Sequence, residues 1–299
     1  MRRAVALLRL VHPMITRRYA AAVFIASTLL AAGAVVRTQN VTFSSRVEAI
    51  RVDVLVTDND QPVHGLTAKD FEIRDNGVEQ QIDLVSFDQI PLNVVLAFDM
   101  SDSVAGERLD RLRAAGEAIL DGLTPHDQSA LVTFSQAVGL GAPLTKDAGR
   151  VRAALDLANG AGSTSLIDGT YAAIQIGESD AGRALLVVFS DGLDTSSWLP
   201  ADKVLDAAKR SDVVAYAVAV RSPAKPDFLR DLTSSTGGRL FEVEKTEKLD
   251  AIFIGIMQEF RQRYLLSYTP RGVARDGWHK LDVRVKRGGT VRARPGYQS

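Results

Sequence analysis

The sequence predicts an α/β fold with a doubly wound, mostly parallel sheet, combined with a discontinuous all-β domain and a hydrophobic N-terminal leader. From Pro91 to about Arg263, short apolar segments alternate with segments of helical periodicity, which is typical of a sheet covered by helices on both faces. On either side, apolar and polar residues alternate with a period of two within residues 47–87 and after Arg263. This pattern predicts β-strands.

Residues 1–40 are predicted to be a signal peptide or a membrane anchor. Arginines precede an uncharged apolar run from Tyr19 to Val36, which is long for a signal core and close to the minimum for a spanning helix. We favour export, because Ala32-Gly33-Ala34 offers the small residues that signal peptidase accepts. Either way the body of the protein is expected in the periplasm or cell envelope, and an uncleaved leader would anchor it to the inner membrane through residues 19–36.

Two flanking segments are predicted to form one β domain. Residues 41–90 supply its first part. Within residues 52–56 a valine recurs at every second position, and Asp75-Asn76-Gly77 is a strong hairpin signal. Residues 264–299 supply its second part and contain too few strands for a core of their own. Basic residues on these last strands are interpreted as a solvated strand face: Arg284, Lys286, Arg287, Arg292 and Arg294.

Residues 91–263 are predicted to form the inserted α/β domain. The expected strands are 93–98, 130–135, 184–189, 213–220 and 239–243. The expected helices are 108–122, 148–158, 167–178, 201–210, 228–235 and 249–263. Gly139 and Gly141 indicate a bend into a short antiparallel edge strand.

Composition indicates a folded protein and excludes several functions. A chain of 299 residues with 46% hydrophobic residues can bury one large or two moderate cores. Basic and acidic residues balance at 36 each, so net charge gives no reason to expect nucleic acid or an anionic membrane surface as a partner. Because the chain has no cysteine, thiol catalysis, disulfides and metal–thiolate sites are excluded.

A loop rich in oxygen-bearing side chains follows the first strand of the α/β part. In Asp99-Met100-Ser101-Asp102-Ser103, carboxylates and hydroxyls stand at the end of the apolar run 93–98. Hard divalent cations such as Mg2+ take oxygen ligands in a near-octahedral shell and keep several waters. The loop is therefore a candidate metal site. Aspartate and serine are also common in turns and helix caps, so a purely structural role stays open.

Two later loops strengthen the metal hypothesis. Gly162-Ser163-Thr164-Ser165-Leu166 opens a helical segment, and Ser190-Asp191-Gly192 follows an apolar strand. Ligands of open α/β sheets bind beyond the carboxyl ends of the strands, where all three loops are expected. Asp102 and Asp194 are interpreted as charges on the loop surface.

Together these loops resemble the metal-ion-dependent adhesion site (MIDAS) of the von Willebrand factor A domain, a Rossmann-like fold. That family needs a DxSxS loop, a distant threonine and an aspartate just after a later strand. The matching positions are Asp99, Ser101, Ser103, Thr164 and Asp191. The whole layout resembles exported bacterial proteins that combine this domain with flanking β segments.

The resemblance implies a role for each position. Ser101 and Ser103 would contact the ion directly, Thr164 would do so directly or through water, and Asp99 and Asp191 would mainly hold waters. The ion would be Mg2+ or Mn2+. A vacant position would then accept an Asp or Glu carboxylate from a protein partner, and this charge-assisted contact would supply orientation and specificity.

The expected function is therefore a non-enzymatic, exported binding module for adhesion or assembly, with no catalytic residue. An alternative is a hydrolase or phosphotransferase that uses Asp99 as a nucleophile. Ser101 stands where the Asp-x-Asp loop of such phosphotransferases has its second carboxylate, and no Gly-x-Ser-x-Gly segment is present. A second alternative is a scaffold whose metal site is vestigial.

Overall fold

The computed structural model describes residues 49–299 apart from 88–89, 179, 181, 192 and 223–224, so the predicted leader lies outside the described residues. The strands are β1 (Ile50–Asp58), β2 (Gln61–Pro62), β3 (Phe71–Asp75), β4 (Val78–Gln80), β5 (Ile82–Phe87), β6 (Leu92–Asp99), β7 (Gln128–Phe134), β8 (Val138–Thr145), β9 (Arg183–Ser190), β10 (Val214–Val220), β11 (Leu240–Val243), β12 (Tyr264–Tyr268), β13 (Trp278–Val285), β14 (Thr290–Arg292) and β15 (Gly296–Gln298). The α-helices are α1 (Glu107–Asp121), α2 (Ala148–Leu157), α3 (Leu166–Gly177), α4 (Ala201–Arg210), α5 (Asp227–Thr236) and α6 (Leu249–Arg261). Within this described part, each helix is too short or too polar to cross a membrane.

The central sheet of the α/β part has six strands in the order β11–β10–β9–β6–β7–β8. All neighbours are parallel except β8, which pairs antiparallel with β7 at one edge. Val94, Leu96 and Phe98 of β6 pack in one core with α1, α2 and α6, whereas Val95 and Ala97 pack in a second core with α3, α4 and α5. The predicted doubly wound, mostly parallel α/β domain and its antiparallel edge strand are confirmed.

The strands of the two flanking segments pair with each other in two further sheets. One contains β14, β1, β12 and β5, with β2 paired to β1, and the other contains β15, β13, β3 and β4. Between them lies a core that includes Tyr264 and Tyr268. Val47–Ser299 forms one compact unit, and the division into separately folding domains stays a prediction.

A buried carboxylate ties the first flanking segment to the second. Asp75 of β3 accepts hydrogen bonds from the hydroxyls of Tyr268 at 3.0 Å and Tyr297 at 2.9 Å. Its other oxygen lies 2.8 Å from Nδ1 of His279. All these residues are at most 5% exposed. Because a buried carboxylate requires such partners, the strands before the α/β part depend on the strands after it.

Buried arginines join the α/β part to the β sheets at the amino ends of the parallel strands. Arg183, the first residue of β9, donates from Nε to the carboxylate of Asp53 on β1 at 2.8 Å, and its guanidinium lies over the ring of Phe260. Arg263 is fully buried and donates to the hydroxyl of Tyr216 and the carbonyl oxygen of Gly237. The three loops identified in the sequence lie at the opposite side of the sheet, beyond the carboxyl ends of the parallel strands.

The basic residues near the C-terminus do not form one solvated face. Arg294 is only 7% exposed and donates to the carbonyl oxygens of Ser211 and Gly296. Arg292 donates to the carboxylate of Glu259. The interpretation of these residues as a solvated face is wrong for Arg294, because its guanidinium satisfies carbonyl groups between the two parts of the protein.

We expect Arg183→Met to lower the free energy of unfolding by about 3–5 kcal/mol, because it leaves the buried carboxylate of Asp53 unpaired. The matched control is Arg111→Met, which removes an exposed i,i+4 pair with Glu107 and should cost under about 1 kcal/mol. Urea unfolding of both variants measures the difference. Equal losses would show that burial of the Arg183 pair has no energetic consequence.

A second buried carboxylate predicts a dependence on pH. Asp127 is 3% exposed and accepts hydrogen bonds from the backbone N of Leu92, from Thr124 and from Arg261. Burial acts to raise its pKa, but the hydrogen bonds from Arg261, Leu92 and Thr124 outweigh it and hold the pKa below its usual value.

Asp127→Asn should therefore cost about 2 kcal/mol at neutral pH, since it weakens hydrogen bonds to a charged group. Because the native pKa is lowered, the stabilisation is complete above the unfolded-state pKa and is lost as pH falls through the native pKa. The difference in unfolding free energy between the two proteins should shrink below about pH 4. Urea unfolding at several pH values measures this difference in free energy. A difference that stays constant with pH would contradict a lowered pKa for Asp127.

The proposed domain division predicts that a fragment of residues 91–263 stays soluble and folded, whereas deletion of residues 264–299 causes aggregation. The deletion strips partners from β1 and β3 and exposes their apolar faces. Circular dichroism melting and gel filtration test both. Cooperative melting of a soluble fragment of residues 41–90 alone would disprove the shared β domain.

Candidate metal site

Asp99 is the innermost residue of the candidate site. It ends β6, is fully buried, and accepts hydrogen bonds from the backbone N of Ser101 at 2.9 Å and from Oγ of Ser190 at 2.7 Å. Ser190 lies 91 residues later in the chain and comes close because β9 is parallel to β6, with Phe189 opposite Phe98. The same pairing carries Asp191 to the edge of the sheet where Asp99 ends.

Two carboxylates therefore stand at the same carboxyl end of the sheet. Burial raises the pKa of Asp99, and the negative charge of Asp191 acts in the same direction. Hydrogen bonds from Ser101 and Ser190 oppose this rise. A divalent cation beside Asp99 would stabilise its ionised form, so the electrostatics of the site fit a bound cation.

The hydroxyls of Ser101 and Ser103 also fit a metal ion. Their Oγ atoms are hydrogen-bonded to each other at 3.0 Å, and Ser101 directly precedes the short 3-10 turn Asp102–Val104 that contains Ser103. In an octahedral Mg2+ shell with ligands at about 2.1 Å, adjacent oxygens are about 3.0 Å apart. The two hydroxyls thus have the separation of neighbouring ligands. Ser101 is 2% exposed, whereas Ser103 is exposed to solvent.

The loop before α3 is tied to this turn by backbone hydrogen bonds. The backbone N of Asp102 donates to the carbonyl oxygen of Gly162, whose own N donates to Oδ1 of Asp102, both at 3.0 Å. Ala161 donates to the carbonyl oxygen of Met100. Gly162 has φ +83°, a conformation that glycine adopts without steric cost. This turn places Thr164 beside the other two loops.

Thr164 is held against the loop after β9. Its backbone N donates to Oγ1 of Thr195 at 2.9 Å, and its carbonyl oxygen accepts from the backbone N atoms of Thr195 and Ser196. Thr164 is 6% exposed. In the same loop, Oδ1 of Asp191 accepts from the backbone N of Leu193 at 3.1 Å.

The structure thus brings the three predicted loops together at the carboxyl edge of the sheet. Asp99, Ser101 and Ser103 stand on one loop, Asp191 acts electrostatically on Asp99, and Thr164 is connected through backbone hydrogen bonds. Among the described residues, no three His, Cys, Asp or Glu side chains cluster as metal ligands. A site here would depend on hydroxyls, and the ligand role of the five residues stays a prediction.

Several side chains that hold these loops were not predicted from the sequence to do so. Ser190 donates to Asp99, and Asp168 accepts from the backbone N atoms of Trp198 and Leu199 at 2.9 Å each. Asp102 and Asp194, interpreted as loop-surface charges, also fasten loops, since Asp194 accepts from Ser197 Oγ. Ser190 had one signal in the sequence, because it directly precedes Asp191. The others bond across loops distant in the chain.

Comparisons with known proteins agree with this geometry. The family model described as the von Willebrand factor type A domain matches residues 93–254. Inter-alpha-trypsin inhibitor heavy chain H4 from Bos taurus is 32% identical over 120 residues, which cover 36% of this chain. The chain spans only 13% of the length of that curated relative.

Solved structures share the fold. A von Willebrand factor type A protein from Catenulispora acidiphila is 12% identical with a TM-score of 0.53, over 77% of this chain and 72% of that chain. Proximal thread matrix protein 1 from the mussel byssus, with a zinc-occupied MIDAS motif, is 15% identical with a TM-score of 0.52, over 62% of this chain and 49% of that chain. At these identities the likeness concerns the fold alone.

Proposed function

The chain belongs to the von Willebrand factor type A domain family, and from this premise we propose that it is an exported protein-binding module that depends on a divalent cation. The cation would be held by Asp99, Ser101, Ser103, Thr164 and Asp191. When bound, it supplies a positive, oxygen-preferring position that an Asp or Glu carboxylate of a protein partner can occupy.

The pair of serine hydroxyls carries this proposal. The two hydroxyls are hydrogen-bonded to each other at 3.0 Å, a separation that also suits adjacent ligands of one ion, and the carboxylate of Asp99 accepts a hydrogen bond from the backbone N of Ser101. Carboxylates and hydroxyls without nitrogen or sulfur favour Mg2+ or Mn2+. The zinc-occupied MIDAS motif of the mussel relative supports a divalent ion at the corresponding loops.

The surroundings of Asp99 favour a binding role over an enzymatic one. A nucleophilic carboxylate must reach its substrate, but Asp99 is fully buried and both of its oxygens accept hydrogen bonds. Hydrolase or phosphotransferase chemistry through Asp99 would require this loop to open. Asp99 is instead placed to orient Ser101 and to balance the charge of a cation.

The leader supports export to the periplasm or cell envelope, as a cleaved signal peptide or as an inner-membrane anchor formed by residues 19–36. In that location the module would serve adhesion or assembly. A scaffold with a vestigial metal site is the competing possibility, and metal-dependent stability separates the two.

We expect Mg2+ or Mn2+ to raise the stability of the purified full chain, kept in mild detergent because of its apolar leader. At 100 times the dissociation constant, binding to the folded state alone adds about 2.7 kcal/mol. Asp99→Ala and Asp191→Ala should abolish the gain. Asp83→Ala, on β5 away from the loops, is the matched control and should keep it. Identical thermal melting of the unmodified protein in Mg2+, Mn2+ and chelator would refute the metal site.

A further inference from the structure

A tryptophan stands almost fully in solvent next to the candidate metal site. Trp198 is 93% exposed and Leu193 is 47% exposed, both on the loop after β9 that begins with Asp191. Tryptophan side chains are normally well buried in folded proteins. At this exposure the indole buries little of its surface against the described residues, so packing within the fold does not account for its position.

The backbone that carries Trp198 is nevertheless held firmly. Its N atom and that of Leu199 donate to the two carboxylate oxygens of Asp168, in the first turn of α3, at 2.9 Å each. Oγ of the preceding Ser197 accepts from the backbone N atoms of Ile167 and Asp168 at 3.1 Å. A fixed backbone under an exposed aromatic ring is suited to binding, because little conformational entropy remains to be lost.

The same loop is bonded to the candidate metal site. Thr195 and Ser196 donate backbone hydrogen bonds to the carbonyl oxygen of Thr164. Trp198 follows Thr195 by three residues, which span at most about 10 Å when extended. A protein segment whose carboxylate lies at the metal position therefore reaches the indole within a few residues.

The rim of the site also carries a positive side chain. Arg108, at the start of α1, donates from its guanidinium to the carbonyl oxygen of Ser103. This cation lies next to the exposed hydroxyl of Ser103 and complements an acidic segment. The surroundings of the site thus combine a positive group with a large apolar one.

We propose that Trp198 and Leu193 form an apolar anchor site beside the metal site, and that the partner is a protein segment in which an Asp or Glu is accompanied by an aromatic or large aliphatic residue within about five positions. This inference rests on the proposed function. The carboxylate orients the partner at the metal, while burial of the indole supplies most of the affinity.

The test uses short random peptides displayed on phage as the probe. They are selected on the immobilised full chain in Mg2+ and eluted with EDTA. We expect the eluted peptides to combine an acidic residue with an aromatic or large aliphatic residue at the stated spacing. A synthetic peptide of an enriched sequence should bind Trp198→Ala about 30-fold more weakly, the loss typical of an anchoring aromatic residue.

Two controls separate this role from a structural one. The melting temperature of Trp198→Ala should stay close to that of the unmodified protein, because the indole is 93% exposed. Leu84→Ala removes another exposed side chain, 52% exposed on β5, and should bind the peptide unchanged. When the apolar residue of the peptide is replaced by glycine, Trp198→Ala should cause no further loss.

Each outcome decides a different point. If EDTA-eluted peptides carry an acidic residue alone and bind Trp198→Ala as tightly as the unmodified protein, the anchor site is overturned and the proposed function stands. If no peptide requires Mg2+ and metal leaves the melting temperature unchanged, the proposed function fails, and the anchor proposal fails with it.

Discussion

The parallel pairing of β6 with β9 is the constraint on which the candidate site depends. It sets Phe98 opposite Phe189, so that Asp99, the last residue of β6, and Asp191, which directly follows β9, come to the same carboxyl end of the sheet. Burial of Asp99 raises its pKa, and the negative charge of Asp191 acts in the same direction. The apolar cores on both faces of the sheet hold this arrangement in place. Under the proposed function, a cation beside Asp99 would stabilise its ionised form, so that metal binding would raise the stability of the folded protein.

The amino ends and the carboxyl ends of the parallel strands differ in what they contact. At the amino ends, Arg183 and Arg263 bind Asp53 and Tyr216 and attach the β sheets to the α/β part. At the carboxyl ends the loops are joined by backbone hydrogen bonds and by side chains such as Asp168, whereas the side chains of Ser103 and Trp198 remain exposed. The proposed metal site and the proposed anchor both lie among these loops at the carboxyl ends of the strands.

The sequence predicts the α/β framework well, because β6 and β9 are continuous apolar runs and each helix repeats its apolar residues at helical spacing. The candidate ligands are also predictable, since they fall in short motifs directly after strands. The buried arginines are not, because charged residues are usually exposed and nothing near Arg294 or Arg183 in the chain indicates their distant partners. The role of Asp168 could not be predicted for a similar reason. In the sequence it looks like an acidic residue in the first turn of a helix, whereas its carboxylate holds the turn under Trp198.

Recognition of a carboxylate alone would give this protein little selectivity, because every protein surface offers aspartates and glutamates. A second contact at a defined distance makes recognition more selective, since a partner must place a carboxylate at the metal and an apolar residue at the anchor at the same time. Asp168 contributes to that distance without touching the partner, because it fixes the backbone of Trp198 relative to α3, and Thr164 precedes the same helix. The proposed anchor and one proposed metal ligand, Thr164, are therefore positioned by the same helix terminus, and any shift of that terminus would change their separation from the loop of Asp99.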